Sequence, residues 1–193
     1  MANPGLAEAK KIAETGLYKT LPVSCELYSD VTTPIEVLRK LKNVSKHCYM
    51  LESVENSRTW GRYTFLGFDP VLELSCSDGK LTIRAGSTIT LETKNPADLI
   101  RQVLSDNYSP HFDDLPPFTG GLVGYFSYDY IQYAEPSLVL DAEDEEGFKD
   151  VDLMLFDKVI AFDNFRQKII LIVNVRCEDI QTDYHRAEMA LKN

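Results

Sequence analysis

The residues able to do chemistry in this chain are few, and their spacing limits what each could do. The three histidines are His47, His111 and His185. His47 opens an apolar run, His111 falls in a polar loop, and His185 sits in the last helical stretch. None has a nucleophile, an orienting carboxylate or a further metal ligand at a useful spacing, so no catalytic residue and no metal site is assigned. The cysteines Cys25, Cys48, Cys76 and Cys177 contain no Cys-x-x-Cys pair and read as small buried hydrophobes in a reducing compartment. Gly120, Gly121 and Gly124 form a G-G-x-x-G that enters a strand and lacks a following Lys-Ser/Thr, so it is not a phosphate loop. Glycine there lets another backbone or a large ring approach closely. The acidic stretch Asp141 to Asp150 reads as a solvated loop rather than a cation site. By residue type alone, Glu52 and Arg62 make a cross-strand ion pair and Ser53 ends a strand.

The elements that must position these residues follow from periodicity and punctuation. A first helix over 3–15 is expected, capped by Asn3 with Pro4 in its first turn. A strand over 21–28 alternates Leu21, Val23, Cys25 and Leu27. Thr33-Pro34-Ile35-Glu36 is a helix start with a capping box, followed by Val37, Leu38, Leu41 and Val44 on one face. The run 47–51 reads as a buried strand, 54–61 as a loop, and 62–68 as a strand stopped by Asp69-Pro70. Asp78-Gly79 joins strands 71–77 and 80–85 as a hairpin, with another strand at 88–92. A helix opens at Asn95 and buries Leu99, Ile100, Val103 and Leu104. Then come a Gly-rich strand over 122–128, long strands over 152–162 and 168–175, and a last helix from Asp179. That helix carries Ile180, Tyr184, Ala187 and Leu191 on one face. Strands arranged as hairpins and meanders favour an α+β fold with mainly antiparallel sheets.

Bulk properties exclude several classes. A net charge of −10 argues against nucleic-acid binding, which needs a basic face. No run reaches the ~18 apolar residues that cross a bilayer, and the first residues lack the apolar core of a secretion signal. A cytoplasmic protein with no membrane partner is the expectation.

Three segments carry a resemblance. Met50-Leu51-Glu52-Ser53 is followed by Trp60-Gly61-Arg62-Tyr63-Thr64-Phe65-Leu66-Gly67. Pro116-Pro117-Phe118-Thr119-Gly120-Gly121 leads into Leu122-Val123-Gly124-Tyr125-Phe126-Ser127-Tyr128-Asp129. Asp152 to Asp157 continues to Val159, Phe162 and Asp163. In this order they resemble the signatures of anthranilate synthase component I, across nearly the whole chain. The resemblance implies a layered α/β/β/α arrangement with orthogonally packed sheets, and residues 1–193 as the family's N-terminal domain.

It also implies a reaction, chorismate plus an ammonia source giving anthranilate and pyruvate with Mg²⁺. A glutamine amidotransferase subunit would supply the ammonia. The family's catalytic residues and Mg²⁺ ligands lie in a C-terminal chorismate-binding half beyond Asn193, so residues 1–193 alone are expected to be inactive. The resemblance further implies a feedback site for L-tryptophan at Leu51, Glu52, Ser53 and Arg62. Glu52 would neutralise the ammonium, Arg62 would face the carboxylate, Ser53 would add a hydrogen bond and Leu51 would wall the ring. The rival readings are aminodeoxychorismate synthase component I of the folate branch, a stand-alone amino-acid-binding module, and a domain that docks the amidotransferase through the acidic loop 141–150.

Overall fold

A computed structural model describes residues 2–52, 61–135, 137–138 and 146–192. Its first six strands are β1 (Thr20–Tyr28), β2 (Cys48–Glu52), β3 (Tyr63–Phe68), β4 (Leu72–Ser77), β5 (Lys80–Ala85) and β6 (Ser87–Glu92). After them come β7 (Gly121–Phe126), β8 (Val151–Phe156), β9 (Lys158–Asp163) and β10 (Lys168–Arg176). The helices are α1 (Leu6–Glu14), α2 (Pro34–Val44), α3 (Pro96–Ser105), the single turn α4 (Ile131–Ala134) and α5 (Ile180–Ala190). The chain divides into two compact units, each built on one five-stranded sheet. The α+β class read from the sequence holds, with antiparallel pairing throughout the registers of β1–β10–β9–β3–β2 and β6–β5–β4–β8. No helix among the described residues is long and apolar enough to cross a membrane.

The first unit holds Met1–Pro70, Asn107–Gly121 and Phe156–Asn193, with strand order β1-β10-β9-β3-β2. Helices α1 and α5 pack on β1 and β10, where Ala9, Leu21, Val23, Val175, Tyr184 and Ala187 form one buried cluster. Tyr184 and Ala187 are thus on the face expected of the last helix. The N-terminus differs from expectation. Gly5, not Asn3, precedes α1, because the Asn3 backbone is engaged elsewhere. Its N–H and C=O exchange 2.8 Å hydrogen bonds with Ser24, which covers part of the outer edge of β1.

Helix α2 starts as its sequence requires. The Thr33 hydroxyl accepts from the Glu36 amide at 3.3 Å, and Pro34 takes the first turn. The reciprocal half of the capping box goes elsewhere, since the Glu36 carboxylate accepts from Thr32. Val37, Leu38 and Leu41 pack with Leu66, Phe162 and Ile169, whereas Val44, the last helical residue, is 73% exposed. Strand β2 is an edge strand rather than a buried one. Among the described residues only β3 pairs with it, and its last two residues are exposed.

The long strand read over 152–162 is two strands. Asp157 is the break: β8 belongs to the sheet of the second unit and β9 to that of the first. Asn174 marks the switch, its amide and side chain both donating to the Asp157 carbonyl at 2.8 and 3.1 Å. Both halves are apolar and extended, so periodicity alone does not show a change of partner.

The second unit holds Val71–Asp106 and Leu122–Leu155 around the order β6-β5-β4-β8-β7. Asp78 and Gly79 both take positive φ, 50° and 74°, as the expected two-residue hairpin demands. Helix α3 lays Ile100 among Leu74, Cys76, Leu81, Val151 and Leu153. Leu104 is 51% exposed instead of buried, and the Asn95 side chain makes no cap. The strand expected to reach Tyr128 stops at Phe126 and turns into a 3₁₀ turn (Tyr128–Tyr130) and α4. A Cβ at Gly124 would overlap the Asp152 carbonyl, which is the close backbone approach read from the glycines.

Tyr133 on α4 pins this region. Its hydroxyl donates to Asp150 Oδ2 at 2.7 Å and accepts from the Gly79 amide at 2.8 Å, while the Asp78 amide donates to the same carboxylate oxygen at 2.9 Å. Tyr133→Phe removes one donor and one acceptor from part-buried partners. It is expected to lower the unfolding free energy by about 1–2 kcal/mol. Urea denaturation checks this, and a loss well under that range would show that solvent replaces the phenol.

Candidate functional site

Strands β2, β3 and β9 bring the sequence-marked residues to one end of the first sheet. Leu51 lies opposite Phe65, and Glu52 opposite Thr64. Because successive strand residues face opposite sides, Leu51 and Glu52 address different faces of the sheet. Leu51 is 49% exposed, and Glu52, the last residue of β2, is exposed as well. A ligand that uses both must therefore wrap the strand end rather than lie on one face. Ser53 and Trp60 lie outside the described residues.

Arg62 immediately precedes β3 and pairs with Asp163, the last residue of β9, instead of forming the cross-strand pair with Glu52. Arg62 Nε donates to Asp163 Oδ1 at 3.0 Å and Nη2 to Oδ2 at 2.6 Å, a bidentate fork. The amides of Phe165 and Arg166 also donate to Oδ1, at 3.2 and 3.0 Å. The guanidinium carbon lies 4.8 Å from the Tyr63 ring centroid and 5.9 Å from that of Phe165. Asp163 is 1% exposed and Arg62 25%. Burial pushes the Asp163 carboxyl up, but the Arg62 fork and the two amides outweigh it and hold the group below the usual carboxylate range. The same fork raises the Arg62 guanidinium further.

This arrangement gives Arg62 a definite chemical character. Two of its five N–H groups are committed to Asp163, and its charge is balanced there. It offers the remaining N–H edge as oriented hydrogen-bond donors, braced by two rings, rather than as a free cation. Asp163 is the residue the motif reading passed over as a site. The signal available was a lone carboxylate closing the apolar run Val159 to Phe162, a position that is costly unless paired.

The histidines stay apart from this site. His111 is 74% exposed with Asp113 at 3.6 Å, and His185 contacts Glu188 on its own helix at 3.4 Å. His47 is exposed just before β2. Among the described residues no three His, Cys, Asp or Glu side chains converge as metal ligands.

The model of one protein family, that of chorismate binding enzymes, matches residues 46–193, which include the strand end, the Arg62–Asp163 fork, the whole second unit and the part of the first unit that follows α2. The chain belongs to the chorismate binding enzyme family. It is 39% identical over 92% of its length to anthranilate synthase component 1 of Acinetobacter calcoaceticus, and covers 37% of that protein. Against the Acetivibrio thermocellus protein of the same name it is 35% identical over 91% of its length, covering 35% of the relative. The crystal structure of anthranilate synthase component I from Streptococcus pneumoniae superposes with a TM-score of 0.52 at 26% identity, over 86% of this chain and 36% of that one. The chain thus spans little more than a third of the length of these relatives. The resemblance read from the three motifs holds within this chorismate-binding family. The described residues of all three motifs fall in strands or the turns beside them. The first runs along β2 and β3, the second along β7, and the third across β8 and β9.

Proposed function

We propose that this chain is the N-terminal, tryptophan-sensing part of an anthranilate synthase component I. The observation that carries the reading is the junction of Leu51-Glu52 and the Arg62–Asp163 fork at one end of a single sheet, inside the matched motifs. An amino-acid effector presents an ammonium, a carboxylate and, in tryptophan, an indole. Glu52 is exposed and supplies the negative charge for the ammonium. Arg62 supplies fixed donors to the carboxylate, and Asp163 keeps them aimed. Leu51, half-exposed on the opposite side of the strand, walls the ring as the ligand wraps the strand end, and Ser53 adds a hydrogen bond there.

In the complete enzyme, chorismate and ammonia would give anthranilate and pyruvate, with ammonia from a glutamine amidotransferase subunit. Loop 141–150 is a docking candidate for that subunit, except that Asp150 at its end is buried and held by Tyr133 and the Asp78 amide rather than solvated, and residues 141–145 lie outside the described residues. Mg²⁺ would act in the catalytic half. No described cluster in this chain fits it, and no step is assigned to these residues. Residues 1–193 by themselves would make no anthranilate, and the setting would be the cytoplasm. Tryptophan would inhibit by binding one conformation better than another, so chorismate would oppose tryptophan binding by the same factor.

The test uses the whole native reading frame with chorismate, Mg²⁺ and ammonia, following anthranilate fluorescence across a tryptophan titration. Ser53→Phe is expected to keep anthranilate formation while raising the half-inhibitory tryptophan concentration about tenfold or more. Unchanged sensitivity would remove Ser53 from the site. Aminodeoxychorismate as the sole product would move the chain to the folate branch, which the names of the relatives above disfavour.

A further inference from the structure

Strand β6 (Ser87–Glu92) is the outer edge of the second sheet, and all six of its residues are exposed. Its sequence, STITLE, has no proline, no lysine and no glycine. Proteins usually blunt such edges, since an open row of N–H and C=O groups pairs with any suitable strand. The contrast with β1 is direct, because Asn3 bridges to Ser24 on that outer edge.

We propose that β6 is a self-association edge, pairing antiparallel with β6 of a second copy about a two-fold axis at Thr90. This inference is independent of the tryptophan site. It rests on how the β5–β6 and β4–β5 registers extend across such an axis.

In that register Thr90 faces Thr90, Ile89 faces Leu91, and Thr88 faces Glu92 of the second copy. The apolar side is then continuous. Leu74, Ile83 and Ile89 already lie in one cross-strand row, as do Cys76, Leu81 and Leu91. Pairing joins the first row of one copy to the second row of the other. It covers Ile89 and Leu91, now 51% and 49% exposed. At the axis, the Thr82 and Thr90 hydroxyls, 3.5 Å apart, meet their counterparts and form a four-threonine row.

Charge complementarity selects this register. Glu73 opposes Arg84, which opposes Thr88, while Lys80 opposes Glu92. Across the axis Glu92 of the second copy fills the position beyond Thr88, followed by Lys80 of that copy. The row then reads acidic, basic, neutral, acidic, basic, with no like charges adjacent. A two-residue slip toward Ile89 would place Leu91 against Ser87 and Glu92 against Gly86. A one-residue slip would set the apolar side chains against the polar face.

The experiment measures the mass of the intact chain by sedimentation equilibrium from micromolar to millimolar concentration. About 0.3 M salt would screen the net charge of −10 on each copy. The wild-type chain is expected to rise toward twice the monomer mass. Thr90→Lys and Thr90→Glu each put like charges face to face at the axis, so each alone stays monomeric. An equimolar mixture of the two recovers the dimer, with far-ultraviolet circular dichroism unchanged in both variants. A wild-type chain that stays monomeric at all concentrations overturns the proposal and leaves the edge to a strand of another polypeptide. Association that survives in each single variant, or a mixture that stays monomeric, overturns it too.

Discussion

Asp163→Ala is expected to lower the unfolding free energy by about 3 kcal/mol. The carboxylate is buried and holds four donors: two from Arg62 and the amides of Phe165 and Arg166. Removing it leaves a guanidinium and two amides short of an acceptor at the β9–β10 turn. Because Arg62 is 25% exposed, solvent recovers part of the guanidinium's loss, which places the effect at the low end for a broken buried pair. Urea denaturation of the purified chain reads the change. A loss below about 1 kcal/mol would mean that the fork contributes little more than a surface pair.

The pH dependence has a definite sign. The folded Asp163 carboxyl titrates below its unfolded value of about 3.9. Its contribution is therefore fully present above that pH and disappears as pH falls through the lower, folded value. Stability is expected to decline on the acid side, and Asp163→Asn should shallow that decline. The same substitution tests the site, because a neutral amide frees the Arg62 charge and loosens its orientation. On the proposed tryptophan-sensing reading, tryptophan affinity of the full enzyme is expected to change without a matching change in anthranilate turnover without effector.

Gly124→Ala is expected to cost about 3 kcal/mol or more, the upper range for overpacking. The added methyl carbon would occupy the space of the Asp152 carbonyl, and that obstacle is strand backbone rather than a movable side chain. Relief would require β7 and β8 to separate, which would sacrifice ladder bonds at the sheet edge. The readout is hydrogen exchange of β7 and β8 amides alongside the denaturation midpoint. Protection retained in both strands with an unchanged midpoint would show that the sheet adjusts by a small shear.

The sequence determined what depends on neighbours along the chain. Pro34 after Thr33 set the start of α2, and Asp78-Gly79 set the hairpin, because each acts through local φ and hydrogen-bond geometry. Alternation of Leu21, Val23, Cys25 and Leu27 marked β1 as a strand, although its first five residues are all buried, and the 3.6-residue period marked the buried face of α5. The motifs carried the family, since they are runs of specific residues in a fixed order. What the tertiary structure decided were the partners. Asn3 looked like a helix cap but pairs with Ser24, twenty-one positions away. The apolar stretch across Asp157 joins two sheets, although neither half shows this in its composition. Arg62 chose Asp163, about a hundred residues distant, over the nearby Glu52, because Asp163 is buried and needs the pair more. Local preference is written in adjacent residues, whereas the choice among distant partners depends on which polar groups the fold removes from water.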